Sequence, residues 1–216
     1  YQSLEAAVNA AKSHDTIKMY ANVDIKEKVA FNNIPLLTLD LNGCEIRANC
    51  SDCGMEVGTD VTLEITNSDQ NVDGIIQNIG TGDRIAIINN GGWLDVRGDH
   101  VKIIGRSTEK GSGFAIENRK GSTYVFNGTL EGHEFNGTTA AGLWVSGGTA
   151  DLYGGTLIGV GQPTAAEGGD TFFRLAHVLG IDQDRGARVC HGKWAFDVEN
   201  DPEIPVVAEA LGNEKD

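Results

Sequence analysis

Five short segments of this chain read as copies of one another, and no other feature constrains its fold as tightly. Thr38-Leu39-Asp40-Leu41-Asn42-Gly43 aligns with Thr62-Leu63-Glu64-Ile65-Thr66-Asn67 and with Trp93-Leu94-Asp95-Val96-Arg97-Gly98. Thr123-Tyr124-Val125-Phe126-Asn127-Gly128 and Thr149-Ala150-Asp151-Leu152-Tyr153-Gly154 follow, so the copies recur every 24 to 31 residues. Each sets two apolar residues on either side of an outward one and then adds a turn residue. A second set, Met55/Val57, Ile85/Ile87, Phe114/Ile116 and Leu143/Val145, is interleaved with the first. Two interleaved strand ladders at one period imply a solenoid, in which each coil buries its apolar side against the next.

A third strand per coil follows the turn: Glu45-Ile46, Ile75-Ile76, Val101-Lys102-Ile103, Thr129-Leu130 and Thr156-Leu157-Ile158. Asn-Gly and Gly-Gly pairs mark the corners, where positive φ is needed. Coils this long do not suit the hexapeptide left-handed helix, so the expected fold is all-β: a single-stranded right-handed parallel β-helix. The stretches 66–73 and 105–113 are expected to bulge as loops. Residues 3–14 form a helical stripe of Leu4, Ala7, Val8 and Ala11 behind Ser3, a suitable N-cap. Placed before the strand Thr16–Tyr20, that helix is expected to cover the open end of the first coil. The expected division is 1–161 for the β-helix, with cap and first strand over about 1–20, and 162–216 for a C-terminal capping segment and acidic tail. Within the latter, Gln162–Gly169 reads as a linker and Phe172–Leu179 as an element sealing the last coil.

Lys+Arg total 17 against 31 Asp+Glu, a formal net charge of −14 over 216 residues. Such a surface repels phosphate backbones and anionic headgroups, so neither a nucleic-acid partner nor membrane insertion is expected. No apolar run approaches the ~20 residues that span a bilayer. The chain starts without an initiator Met or leader and reads as a mature or trimmed fragment. Cys44, Cys50 and Cys53 cluster while Cys190 stands apart. Free or packed thiols, a Cys50–Cys53 loop disulfide and half of a metal site are all open to them. His100, His133, His177 and His191 show no metal-ligand spacing.

The helix, the strand Thr16–Tyr20 and then Leu36-Leu37-Thr38-Leu39-Asp40-Leu41-Asn42-Gly43 resemble the opening of pectin-lyase-like β-helix modules. Gly147-Gly148-Thr149 and Tyr153-Gly154-Gly155-Thr156-Leu157 are similar to their later coils. The resemblance covers roughly residues 3–160. It implies a module of bacterial surface proteins or of phage fibre and decoration proteins, with enzymatic relatives that cleave acidic polysaccharides. Hydrolysing relatives carry Asn-Thr-Asp, Asp-Asp, Gly-His-Gly and Arg-Ile-Lys motifs, and none is intact here. Glu131-Gly132-His133-Glu134 is the nearest to the histidine motif, with Lys102 and Arg106 standing apart. Lyase relatives need calcium-binding aspartates and an arginine base, for which Arg97 is the candidate.

Two outer-face features remain as candidate sites. The alignment puts Asp40, Glu64, Asp95, Val125 and Asp151 at one outward position. Stacked at about 4.8 Å per coil, Asp40, Glu64 and Asp95 would form a carboxylate column able to recruit calcium. The competing reading is a solvated face. Trp93, Trp144 and Tyr153 also fall at outward positions, for stacking on sugar rings or for packing within the chain or between subunits. Tyr124 and Phe126 alternate inward and are expected in the core. With no catalytic motif intact, the expected function is a non-catalytic structural or adhesive module on a bacterial surface or virion. Its expected partner is a glycan or a surface protein, with a homotrimer or larger assembly as an accompanying arrangement. The alternative is a polysaccharide lyase or glycoside hydrolase.

Overall fold

The repeated apolar pairs stack coil on coil. The computed structural model describes residues 1–135 and 139–160, and there the chain is an all-β parallel solenoid with one short helix. Helix α1 (Leu4–Ala10) leads into β1 (Asp15–Lys18), β2 (Val23–Ile25) and β3 (Val29–Phe31). The next coil is β4 (Leu37–Asp40), β5 (Glu45–Ala48) and β6 (Cys53–Val57), after which β7 (Thr62–Thr66) and β8 (Gly74–Gly80) open a third. There the last side of one coil and the first of the next fuse into a long strand, β9 (Arg84–Val96). The rest are β10 (Val101–Ser107), the equally long β11 (Gly113–Val125), β12 (Thr129–His133), β13 (Ala140–Val145), β14 (Thr149–Leu152) and β15 (Thr156–Val160).

Each side of the solenoid carries inward columns set by strand register. On the first side, Leu37, Leu63, Leu94, Thr123 and Ala150 are stacked, beside Leu39, Ile65, Val96, Val125 and Leu152. The second side stacks Ile46, Ile76, Ile103, Leu130 and Leu157. The third stacks Met55, Ile87, Ile116 and Leu143, so Met55 lies opposite Ile87 and not Ile85. All of these residues are buried, and each Leu or Ile contributes about 1.5–3 kcal/mol by leaving water.

Helix α1 closes the N-terminal end as expected. Ser3 Oγ accepts from the Ala6 N–H at 3.1 Å, and Leu4 and Val8 join the main core. The Asn42–Gly43 corner takes left-handed backbone at both residues, φ 47° and 71°, which Asn and Gly tolerate best. The loop expected at 105–113 is shorter, because Gly105–Ser107 continue β10 and Gly113 opens β11. The cause is glycine: a Cβ on Gly105 would stand 1.9 Å from the Phe114 carbonyl oxygen. Without side chains at Gly105 and at Gly132, its partner in β12, the second and third sides approach closely enough to continue the ladder.

Three asparagines, Asn78, Asn89 and Asn118, are fully buried inside the cylinder. Asn89 Nδ2 donates to the Ser122 carbonyl at 2.9 Å while its Oδ1 accepts from Gly92 N–H at 3.0 Å. Asn118, its register partner, donates to the Gly147 and Thr149 carbonyls one coil on. Such side chains satisfy corner backbone groups that the ladder leaves unpaired. Among the described residues, no helix is long and apolar enough to cross a membrane. The linker, the sealing segment, the acidic tail and Cys190 lie outside the described residues.

Candidate functional site

The outer face of the first side is organised by the same register as the core, and this alters the expected carboxylate column. Glu64 and Asp95 do stand opposite each other. Asp40, however, pairs with Thr66, and Thr38 is the residue opposite Glu64. The expected alignment is thus two residues out in the first copy. A two-residue slip preserves the inward–outward alternation, so the apolar pattern does not reveal it. Asp40 serves its own turn: it accepts from the N–H groups of Asn42 (3.0 Å) and Ser68 (2.8 Å) and lies 3.4 Å from Lys18 Nζ. Burial works against its charge, but Ser68, Asn42 and Lys18 outweigh it and hold the carboxyl below its ordinary range.

The two remaining carboxylates share a cation. Arg97 Nε lies 3.2 Å from Glu64 Oε1 and 3.2 Å from Asp95 Oδ2, and Arg97 Nη2 lies 2.8 Å from the same Asp95 oxygen. Calcium is not needed to offset their repulsion. Among the described residues, no three His, Cys, Asp or Glu side chains converge as a metal site would require. The guanidinium also covers the Phe126 ring at 3.8 Å, so the candidate lyase base is held by two carboxylates and an aromatic face.

The aromatic residues differ from expectation more sharply. Tyr124 and Phe126 point outward and Val125 is buried in the core. The two register shifts in β11, between Asn118 and Lys120 and again before Ser122, cancel, so the expected alignment is itself one residue out: Ser122 and not Thr123 stands opposite Trp93. One residue reverses every side chain. The inward place that Leu63 and Leu94 hold in earlier coils falls to Thr123, whose hydroxyl donates to Asn118 Oδ1 at 2.8 Å. On the outside, Trp93 and Tyr124 stack with centroids 4.7 Å apart, Tyr124 and Tyr153 run parallel at 6.3 Å, and Tyr153 stacks on Phe126 at 4.9 Å.

Trp93, Trp144 and Tyr153 therefore do not form one platform. Trp93 and Tyr153 belong to the same stack with Tyr124 between them, while Trp144 sits on the third side opposite Glu117. There it packs on Phe114 at 5.3 Å, beside a small cluster of Cys53, Ile85 and Ile88. Trp93 alone of the three is strongly exposed, at 47%. It forms a wall of an open cleft of about 540 Å³ at the corner between the third and first sides, bounded by Pro35, Asp60, Thr62, Gly92 and Ser122. The spacing of Trp93, Asp95 and Arg97, alternate residues on one strand, is the sequence signal for this grouping.

A second polar cluster lies on the outer face of the second side. Lys102 Nζ is 2.6 Å from Glu131 Oε1, His133 Nε2 is 3.2 Å from Glu131 Oε2, and Arg106 Nη2 is 3.3 Å from that same His133 nitrogen. Lys102 and Arg106, apart in the sequence, are joined here because β10 and β12 lie in register. His133 first and then Lys102 outweigh burial and pull the Glu131 carboxyl down to about 2. A carboxylate held ionised in this way is unsuited to protonating a leaving group. Among the described residues, Cys44, Cys50 and Cys53 are free thiols, with Cys50 and Cys53 buried.

Comparison with known proteins bears on the C-terminal part. Residues 144–213 match the model of the lacto-N-biose phosphorylase central domain. Over 46 residues the chain is 52% identical to D-galactosyl-β1→4-L-rhamnose phosphorylase of Lachnoclostridium phytofermentans, an alignment covering 21% of this chain and 6% of that enzyme. The chain thus spans a small fraction of the length of the curated relative it matches. No solved structure matches the chain. The expectation of a non-catalytic structural or adhesive module is overturned by these matches: both are to phosphorylases, which are carbohydrate-active enzymes.

Proposed function

We propose that this chain is part of a carbohydrate-active enzyme that cleaves a galactoside with phosphate, and that its solenoid, of the pectin-lyase-like kind, helps to hold the sugar. The observation that carries the reading is the 52% identity to a galactosyl-rhamnose phosphorylase. The match of residues 144–213 to the lacto-N-biose phosphorylase central domain agrees with it. Three parallel sides per coil support the pectin-lyase-like assignment of the solenoid. The outer face adds chemistry of the right kind, with an exposed indole beside carboxylates, hydroxyls and a guanidinium, the groups that hold a pyranose by stacking and hydrogen bonding.

In phosphorolysis the bond from the anomeric carbon to the leaving sugar oxygen breaks. A phosphate oxygen takes that carbon, and the departing oxygen takes a proton. The test is to incubate the chain with D-galactosyl-β1→4-L-rhamnose, with and without inorganic phosphate, and to follow both sugars by ion chromatography. Galactose 1-phosphate and rhamnose, formed only with phosphate, are expected. Free galactose without phosphate marks a hydrolase. Unsaturated products from an acidic polysaccharide mark a lyase. Absence of every product together with absence of galactoside binding overturns the reading.

A further inference from the structure

We propose that the cleft beside Trp93 is a pyranose-binding subsite, with the indole as stacking platform and a β-galactoside as ligand. The inference rests on the carbohydrate reading above and adds a place and a set of residues to it.

Register shows how unusual Trp93 is at its position. The outward column to which it belongs runs Thr62, Trp93, Ser122, Thr149. Every other member is a small hydroxyl residue, so one indole stands as a wall between short neighbours. Packing does not require it there, since the coils on both sides are built without a large residue at this place. The corner beneath is glycine, and the floor has no room for side chains: a Cβ on Gly92 would lie 2.5 Å from the Gly58 carbonyl oxygen.

The platform is also fixed before any ligand arrives. Trp93 Nε1 donates to Asp95 Oδ1 at 2.8 Å, and the ring is stacked on Tyr124 at an interplanar angle of 16°. An exposed side chain held in this way loses little conformational freedom on binding, which is the main cost of recruiting a flexible surface residue. The cleft, about 540 Å³, lies in the size range of small-ligand sites. Its polar rim is Asp60, Thr62 and Ser122. Ser122 Oγ is oriented by Thr149 Oγ1 at 2.9 Å.

A galactopyranose fits this chemistry. Its axial O4 leaves the C3, C4 and C5 hydrogens together on the opposite ring face, an apolar patch comparable in size to one indole ring. That face stacks on Trp93, and the hydroxyls around its edge reach the carboxylate of Asp60 and the hydroxyls of Thr62 and Ser122. The open side of the cleft leaves room for a glycosidic neighbour.

Isothermal titration of the full chain with D-galactosyl-β1→4-L-rhamnose tests the subsite. Trp93→Ala removes the platform. Thr62→Phe keeps the indole and fills the cleft from the register-paired position. Both are expected to weaken binding at least tenfold, Thr62→Phe with an unchanged melting temperature and Trp93→Ala with a lowered one, because the Asp95 bond and the Tyr124 stack go with the ring. Trp144→Phe, on the third side, binds as the parent does. Parent-like binding by both cleft variants overturns the subsite and leaves the carbohydrate reading standing. Absence of binding by the parent chain overturns the reading beneath it, and the subsite with it.

Discussion

Trp93 donates a 2.8 Å hydrogen bond from Nε1 to Oδ1 of Asp95, two residues further along the same strand. Asp95 is buried and its other oxygen is held by Arg97, so one carboxylate couples the aromatic stack to the Glu64–Arg97 ion pair. The orientation of an exposed indole is thereby tied to a buried charge.

Removing that carboxylate separates the two halves. Asp95→Ala leaves the indole N–H and the guanidinium without this partner, and the expected loss is about 1–3 kcal/mol. Asp95→Asn keeps an acceptor for Trp93 and is expected to lose less. Urea unfolding ranks the two variants, and a red shift in tryptophan emission for Asp95→Ala alone reports release of the ring. Equal losses for both variants would assign the effect to the Arg97 ion pair instead of the indole bond.

Asn118 carries more hydrogen bonds than its single side chain suggests. It donates to Gly147 and Thr149 and accepts from Thr123, wholly out of contact with water. Asn118→Ala leaves two carbonyls and a hydroxyl without these partners, and about 2–4 kcal/mol of stability is expected to go. Asn118→Asp presents an acceptor where a donor is needed and is expected to be no better. Thermal melts decide, and a variant within experimental error of the parent refutes the bridging role.

Acid should find Glu131 late. Its carboxyl is drawn from 4.5 down to about 2 by His133 and then Lys102, so the folded form holds a proton less readily than the unfolded one. Its contribution is complete above pH 4.5 and is lost as the pH falls toward 2. Melting temperatures of the parent and of Glu131→Gln are expected to differ at pH 6 and to converge near pH 2. Curves that stay parallel across that window would exclude Glu131 as a source of the acid response.

Cys53 should be chemically silent in the native chain. Burial, helped by the Asp52 carboxylate, pushes its thiol up to about 12, which leaves only about one in 10,000 ionised at pH 8. Burial raises Cys50 as well. Iodoacetamide at pH 8 is expected to spare both residues until denaturant is added, as read by peptide mass mapping. Native-state labelling of Cys53 at its denatured rate contradicts this placement.

Much of the fold was legible because its determinants are local and repeated. Leu39, Ile65, Val96 and Leu152 are each flanked by polar or outward residues, and that alternation commits them to a strand and to its inner side. Ser3 before the apolar stripe of Leu4 and Val8 announced the capping helix in the same way. The outer face was harder. Asp40 and Glu64 are equivalent in their own segments but not across the coils, because the loop following β7 differs in length from the turn following β4. Tyr124 and Phe126 were read as core because Thr123 was matched to Trp93 where the ladder sets Ser122, and aromatic residues on both sides of Val125 leave the local alternation ambiguous. Lys102, Arg106, Glu131 and His133 carry no shared motif, so only the pairing of β10 with β12 brings them together.

The sequence by itself determined the kind of object this is: a stack of short parallel strands around an apolar axis, capped by a helix. Apolar periodicity suffices for that, since burial depends on which side of a strand a residue occupies, and neighbours along the chain establish it. The tertiary structure alone decided which surface residues are neighbours, joining Arg97 to Glu64 and Asp95, stacking Trp93 on Tyr124, and leaving one indole against an open cleft. Those contacts lie between coils. Their register is set by corner length, by bulges and by buried asparagines bonded to the next coil, and these are non-local hydrogen bonds that no window of sequence contains.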